Sequence, residues 1–114
     1  MSELASRDCV PCRAGVPPLK RQEIKNLLKQ LNGWDVVEGH HLRKSFQFEN
    51  FREALELVNR IGELAERQGH HPDIFFGWGH AEVSIWTHKI DGLTESDFVL
   101  AAKIDKQEIE GSNQ

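Results

Sequence analysis

The sequence lacks any apolar run approaching the roughly 18 to 20 residues that a membrane-spanning helix requires. Its longest candidate, Ile74 to Ala81, is interrupted by Gly77, Gly79 and His80. Met1 to Pro18 has neither the apolar core of a signal peptide nor the Arg-rich, acid-free character of an organelle presequence. A cytoplasmic protein without membrane contact is therefore expected. A dense basic run is also missing: 14 Lys and Arg stand against 18 Asp and Glu, a net charge of −4. Phosphate backbones would meet no electrostatic footprint, so nucleic-acid binding is not expected. Cysteine is scarce, with only Cys9 and Cys12 in C-x-x-C spacing. One such pair supplies two of the four ligands of a structural zinc, and no second pair follows. Its Pro-flanked polar setting, with Pro11, Pro17 and Pro18, differs from the strand-to-helix setting of a thioredoxin-type pair. Residues 1–18 are read as a functionally silent tail, with metal pickup, a local disulfide or a partner contact as the alternatives.

What the chain does contain is enough for one core, since 39% of its 114 residues are hydrophobic and 28% charged. The apolar positions Ile24, Leu27, Leu28 and Leu31 recur at helical spacing, and Asn32-Gly33 supplies a stop. From Trp34 to Val37 and from Leu42 to Phe48 the period shifts toward two, with Gly39 marking a hairpin and Lys44 out of place on the apolar phase. Asn50 and Glu53 make a capping arrangement for a helix over Phe51 to Gln68, whose apolar face reads Phe51, Ala54, Leu55, Val58, Ile61 and Ala65. Gly69 stands where a left-handed cap is cheap. A second hairpin is expected from Ile74–Trp78 and Ala81–His88, and a capping box at Thr94 to Asp97 opens a third helix to about Ile109. The order αββαββα predicts an α+β single domain over residues 19–109, followed by a polar tail at 110–114. Hairpin connections are too short for parallel crossovers, so the four strands form one antiparallel sheet with three helices packed on one face. The other face would be left partly apolar, Trp86 included, and such a face is commonly hidden in an oligomer.

The six histidines form three groups: His40-His41 in the first hairpin, His70-His71 beyond the second helix, and His80 with His88 at the second hairpin. Pro72 forces a rigid corner after His70-His71, which would turn both rings toward one pocket. His88 stands at a strand end beside a loop, a usual place for a site. Converging imidazoles suit proton transfer near neutral pH without redox chemistry. Glu66, four residues before His70, is placed to orient an imidazole or, equally, to be a solvated helix-end acid. His70, His71, His88 and Glu66 also make a ligand list for zinc or iron. Adjacent histidines seldom reach one ion, however, and no H-x-H or H-x-x-x-H spacing occurs.

Glu66-x-x-x-His70-His71-Pro72, then Trp78, Thr87-His88, Gly92-Leu93-Thr94 and Asp97 resemble the signature of the pterin-4a-carbinolamine dehydratase family. Gly33-Trp34, Phe46-x-Phe48, Phe51-Arg52-x-Ala54 and the segment from Leu100-Ala101 to Ile104 are similar too, so the likeness spans about Leu19 to Ile104. The resemblance implies a homodimer or homotetramer that dehydrates 4a-hydroxytetrahydrobiopterin to quinonoid dihydrobiopterin, with no metal and no organic cofactor. It implies His70 and His88 as the acid–base pair, with Glu66 orienting a histidine, and His71 as a binding and positioning group. Backbone groups at Gly69 and Thr87 are candidates to read the pyrimidine edge. Trp34 is read as a wall of the pterin pocket or as a core anchor. Asp97 is given a helix-capping role first and an electrostatic one second, Pro72 fixes the corner, and Trp78 serves packing. A functional link to an aromatic amino acid hydroxylase follows from the substrate. Two departures stand out: the glycine-rich Phe76-Gly77-Trp78-Gly79 and the bulky Trp86 beside the pocket end. Relatives of this fold also serve as a dimerisation cofactor for a transcription factor or as a carboxylase assembly factor. A noncatalytic binding role is thus the alternative, against which the intact Glu66, His70, His71 and His88 weigh.

Overall fold

The computed structural model describes residues 3–7 and 17–112. The Cys9-x-x-Cys12 pair lies outside the described residues. Helix α1 spans Arg21–Leu28, and the Glu23 carboxylate accepts the Lys20 backbone N–H at 2.9 Å to start it. Strands β1 (Asp35–Val37) and β2 (His41–Gln47) form the first hairpin. Glu38 and Gly39 both take positive φ, and the His40 N–H closes the turn on the Val37 carbonyl at 2.9 Å. Helix α2 covers Phe51–Gln68, as its signals predict. Asn50 Oδ1 accepts the Glu53 N–H, the Glu53 carboxylate accepts the Glu49 N–H, and Gly69 ends the helix at φ 63°. Strands β3 (Asp73–Gly77) and β4 (His80–Ile85) follow, then α3 over Glu95–Ser112.

The sheet is antiparallel throughout, in the order β1-β2-β4-β3, which leaves β1 and β3 as edges. Strand alternation puts Leu42, Phe46, Ala81, Val83 and Ile85 on the covered face. Helix α3 supplies the centre of the core, with Phe98, Val99, Leu100, Ala101, Ala102 and Ile104 all buried. The stretch Phe98–Ala102 is apolar on every side and must be enclosed, and here the sheet, α1, α2 and the Glu3–Ser6 turn enclose α3. Although the first eighteen residues read as a tail, Leu4 is wholly buried against this core, and Lys103 Nζ donates to the Ala5 carbonyl at 2.9 Å. Lys44 keeps to the covered phase because its ammonium has somewhere to go. It donates to Asp105 Oδ1 at 2.8 Å and to the Asn32 carbonyl at 2.9 Å, and lies 5.0 Å from the centre of the Phe46 ring.

Three expectations need correction. The buried stripe of α2 runs through Ala54, Leu57, Ile61, Leu64 and Ala65, while Phe51 and Leu55 stay exposed. Periodicity marks a stripe but leaves its edges open. Strand β4 ends at Ile85, not at His88: the Thr87 backbone pairs with Gly92, so it has left the ladder. Residues His88–Ile90 form a short 3-10 turn inside that loop. Trp78 serves no core packing, being 70% exposed at the tip of the β3–β4 turn. The open face of the sheet is mixed, as expected: Phe75 is exposed on it opposite Glu82, beside the Arg43–Glu82 ion pair at 3.4 Å, and Trp86 is half-buried among three imidazole rings. No helix among the described residues is long and apolar enough to cross a membrane.

Candidate active site

The site is built around the start of α3. Thr94 precedes the helix, and Asp97 turns its carboxylate back so that Oδ2 accepts the Thr94 N–H at 2.8 Å, the returning half of a capping box. The same oxygen accepts the Thr87 hydroxyl at 2.8 Å. The other oxygen, Oδ1, accepts from His70 Nε2 at 2.6 Å. Asp97 is completely buried, and among the described residues no buried side-chain nitrogen or oxygen lacks a partner. A buried carboxylate is tolerable only when such donors surround it. One group thus caps a helix, orients His70 and anchors the Thr87 side chain immediately before His88.

His70 reaches Asp97 because of Gly69. Once that residue takes the left-handed conformation, the chain leaves the helical path, and His70 N–H closes on the Ala65 carbonyl at 3.3 Å. The two neighbouring histidines then part company. His70 points inward and its side chain is 14% exposed, whereas His71 is 60% exposed and meets Glu66 through Nε2 and Oε2 at 2.5 Å. Glu66 accordingly orients His71, and the carboxylate that orients His70 comes from another element. An ideal helix would carry Glu66 to His70 at i+4; the break at Gly69 removes that geometry.

His88 is exposed at the start of its 3-10 turn. Its ring stacks on Trp86, with centroids 4.3 Å apart and planes 8° from parallel. His40 and His41 tilt against the same indole at 5.4 and 5.7 Å, and His40 Nε2 donates to Asp91 Oδ1 at 2.6 Å. The first hairpin's histidines are therefore neighbours of His88. Asp91 was not singled out by sequence; its only signal was the fixed distance from His88 within one short loop. His41 is shifted below the usual histidine pKa, chiefly by burial, then by His40 and Arg43.

Trp34 stands apart from this cluster. It is buried, and its indole N–H donates to Asp105 Oδ1 at 2.9 Å, about 12 Å further along α3 than Asp97. Pro72 lies between His71 and the start of β3, at the corner expected of it. Among the described residues no three or more His, Cys, Asp or Glu are grouped to hold a metal ion.

A sequence model of the family described as Pterin 4 alpha carbinolamine dehydratase matches residues 17–107. The chain belongs to the pterin-4-alpha-carbinolamine dehydratase family. A Rubrobacter xylanophilus relative, named "Putative pterin-4-alpha-carbinolamine dehydratase", is 69% identical over 106 residues, covering 93% of this chain and 99% of its own. A protein of the same name from Alkaliphilus metalliredigens is 53% identical over 111 residues, covering 96% and 100%. Among solved structures, a transcriptional coactivator/pterin dehydratase from Brucella melitensis superposes with a TM-score of 0.75 at 31% identity, over 79% of this chain and 97% of its own. A pterin dehydratase-like protein identified as a RuBisCO assembly factor in the alpha-carboxysome shares the fold, with a TM-score of 0.58 at 22% identity over 67% and 89%. Within the family match lie all of Glu66, His70, His71, Thr87, His88 and Asp97.

Proposed function

We propose that this chain dehydrates 4a-hydroxytetrahydrobiopterin to quinonoid dihydrobiopterin and water, by histidine acid–base catalysis that needs no metal. Family membership supports a pterin carbinolamine dehydratase. The observation that carries the histidine mechanism is the buried Asp97 carboxylate, which holds His70 through one oxygen and the Thr87 hydroxyl, next to His88, through the other.

The reaction moves one proton onto the departing 4a-hydroxyl and takes one from N5. The C4a–O bond breaks, and the electrons released from N5–H form the new C4a–N5 double bond. Two imidazoles across the ring suffice, one giving and one accepting, and either order balances. His70 Nε2 is committed to Asp97, so Nδ1 is the nitrogen it offers to substrate. A fixed carboxylate partner holds the ring's orientation while Nδ1 gives or takes the proton. His88 serves from the opposite side, and its exposure suits entry of a flat heterocycle. His71, positioned by Glu66, and the backbone of Gly69 bind the pterin, whereas the Thr87 backbone is already taken up by Gly92 and Ile90. Of the two roles open to Trp34, its bond to Asp105 supports the core anchor.

The setting is tetrahydrobiopterin recycling after an aromatic amino acid hydroxylase, in the cytoplasm, by a homodimer or homotetramer. Self-association is supported by Phe75 on edge strand β3 and by Trp78 at its end, 72% and 70% exposed. A noncatalytic binding role remains the second reading, supported by the coactivator half of the Brucella protein's description. The two are separated by following the decay of freshly generated 4a-hydroxytetrahydropterin with wild type, His70→Ala and His88→Ala. Catalysis requires acceleration that either substitution reduces by on the order of 100-fold or more. Acceleration equal in all three would remove the histidines from the mechanism.

A further inference from the structure

His88 sits at the start of a short, solvent-facing turn. The three residues His88–Ile90 are closed off by the Thr87–Gly92 bridge and by the Ile90 and Asp91 N–H groups, which donate to the Thr87 and His88 carbonyls at 3.3 and 3.2 Å, and the His88 ring itself is exposed. Side-chain support also comes from a different hairpin. His40, in the β1–β2 turn, touches both flanks of His88: its ring tilts against Trp86 at 5.4 Å, and its Nε2 donates to Asp91 Oδ1 at 2.6 Å. Trp86 in turn carries the His88 ring flat on its face at 4.3 Å. His41 closes the other side, 5.7 Å from Trp86, with its Nδ1 3.2 Å from His40 Nδ1.

We infer that His40 and Asp91 are positioning residues, which together clamp the Trp86–His88 stack and so fix where the catalytic imidazole points. Asp91 is itself held in the left-handed region at φ 51°, ψ 47°, where glycine is the unstrained choice. A strained non-glycine residue at a site whose carboxylate makes one specific contact points to a role for that contact. The pair is exposed on the Asp91 side, so its contribution to global stability is small. A short turn needs only a small bias, however, and reaction rates respond steeply to the placement of a reacting group. The inference rests on the proposed role of His88 as an acid–base group.

Asp91→Gly is the discriminating variant, because it removes the carboxylate while relieving the left-handed strain, and so leaves the fold at least as stable. His40→Ala and the double variant complete the set. The first readout is the His88 ring C–H resonance in NMR spectra, shielded by the indole face and assigned with Trp86→Leu. The second is kcat and KM for carbinolamine dehydration. Asp91→Gly and His40→Ala are each expected to shift the His88 resonance toward its unstacked position and to lower kcat about three- to tenfold with KM within twofold. The double variant should be no worse than the poorer single one. An unmoved resonance, or a kcat unchanged in Asp91→Gly while wild type is active, overturns the clamp. A wild type without dehydratase activity instead sinks the functional proposal, and the resonance alone then decides the clamp.

Discussion

His70 and Asp97, 27 positions apart in the chain, meet at 2.6 Å with the carboxylate wholly buried. The same carboxylate receives the Thr87 hydroxyl and the Thr94 N–H at 2.8 Å each, so the corner after α2, the end of β4 and the start of α3 converge on one charge. An amide at this position cannot satisfy that set, since it presents a single acceptor oxygen and turns two donors on the remaining groups. Asp97→Asn is expected to destabilise the fold by about 2 to 3 kcal/mol and to slow dehydration on the order of 100-fold as His70 loses its orientation. Urea unfolding beside the kinetic assay checks both; a variant as stable and as active as wild type would contradict the assignment.

Glu66 makes a useful contrast. Its contact with His71 is short but lies in solvent, with side-chain exposures of 77% and 60%. Such pairs contribute at most about 1 kcal/mol. Glu66→Gln should therefore leave the unfolding midpoint nearly unchanged and act mainly on KM, through His71, by less than about tenfold. A large loss of kcat with unchanged KM would transfer Glu66 to the chemical step.

His41 makes the first hairpin sensitive to acid. Burial, His40 and Arg43 lower its pKa, against the opposing influence of Glu38 and Glu82. With the folded pKa depressed, the unfolded chain takes up the proton more readily. The stability linked to His41 is thus fully present above about pH 6.5, the unfolded histidine value, and is lost as the pH falls through the lower folded value. His41→Gln should lose less stability than wild type between neutral pH and pH 5, as read by thermal melts across that range. Parallel pH curves for the two proteins would rule the linkage out.

Gly92 lies where Pro18 crosses the His88 loop. A Cβ there would stand 2.8 Å from Pro18 Cβ, and the neighbouring Leu19 N–H is bonded to the Leu93 carbonyl at 2.8 Å. Neither backbone can yield without breaking that bond or the Thr87–Gly92 bridge. Gly92→Ala is expected to cost about 1 to 3 kcal/mol and to expose the segment around Pro18 to proteolysis. Limited digestion beside denaturant unfolding measures it; wild-type resistance in the variant would mean the Pro18 segment moves aside freely.

How far the sequence could be read depended on whether the controlling contact was local. Helix α2 was legible to the residue, because Asn50, Glu53 and Gly69 act within a few positions of its ends. Both hairpins and the side taken by the helices followed from period-two alternation and short turns. The end of β4 was not legible, since the pairing of Thr87 with Gly92 rather than with β2 leaves no mark on the alternation. The partner of His70 was hidden for the same reason. Asp97 carries an ordinary capping signal, and only the packing of α3 against the corner after α2 reveals its second oxygen. Leu4 looked like part of a tail because nothing local announces that a core is waiting for it.

The most direct test is the rate at which freshly generated 4a-hydroxytetrahydrobiopterin loses water, followed as quinonoid product, with wild-type protein added in the presence and absence of a strong chelator. The account predicts acceleration over the spontaneous reaction that is the same in both. No acceleration, or acceleration abolished by the chelator, would contradict a histidine dehydratase that works without metal.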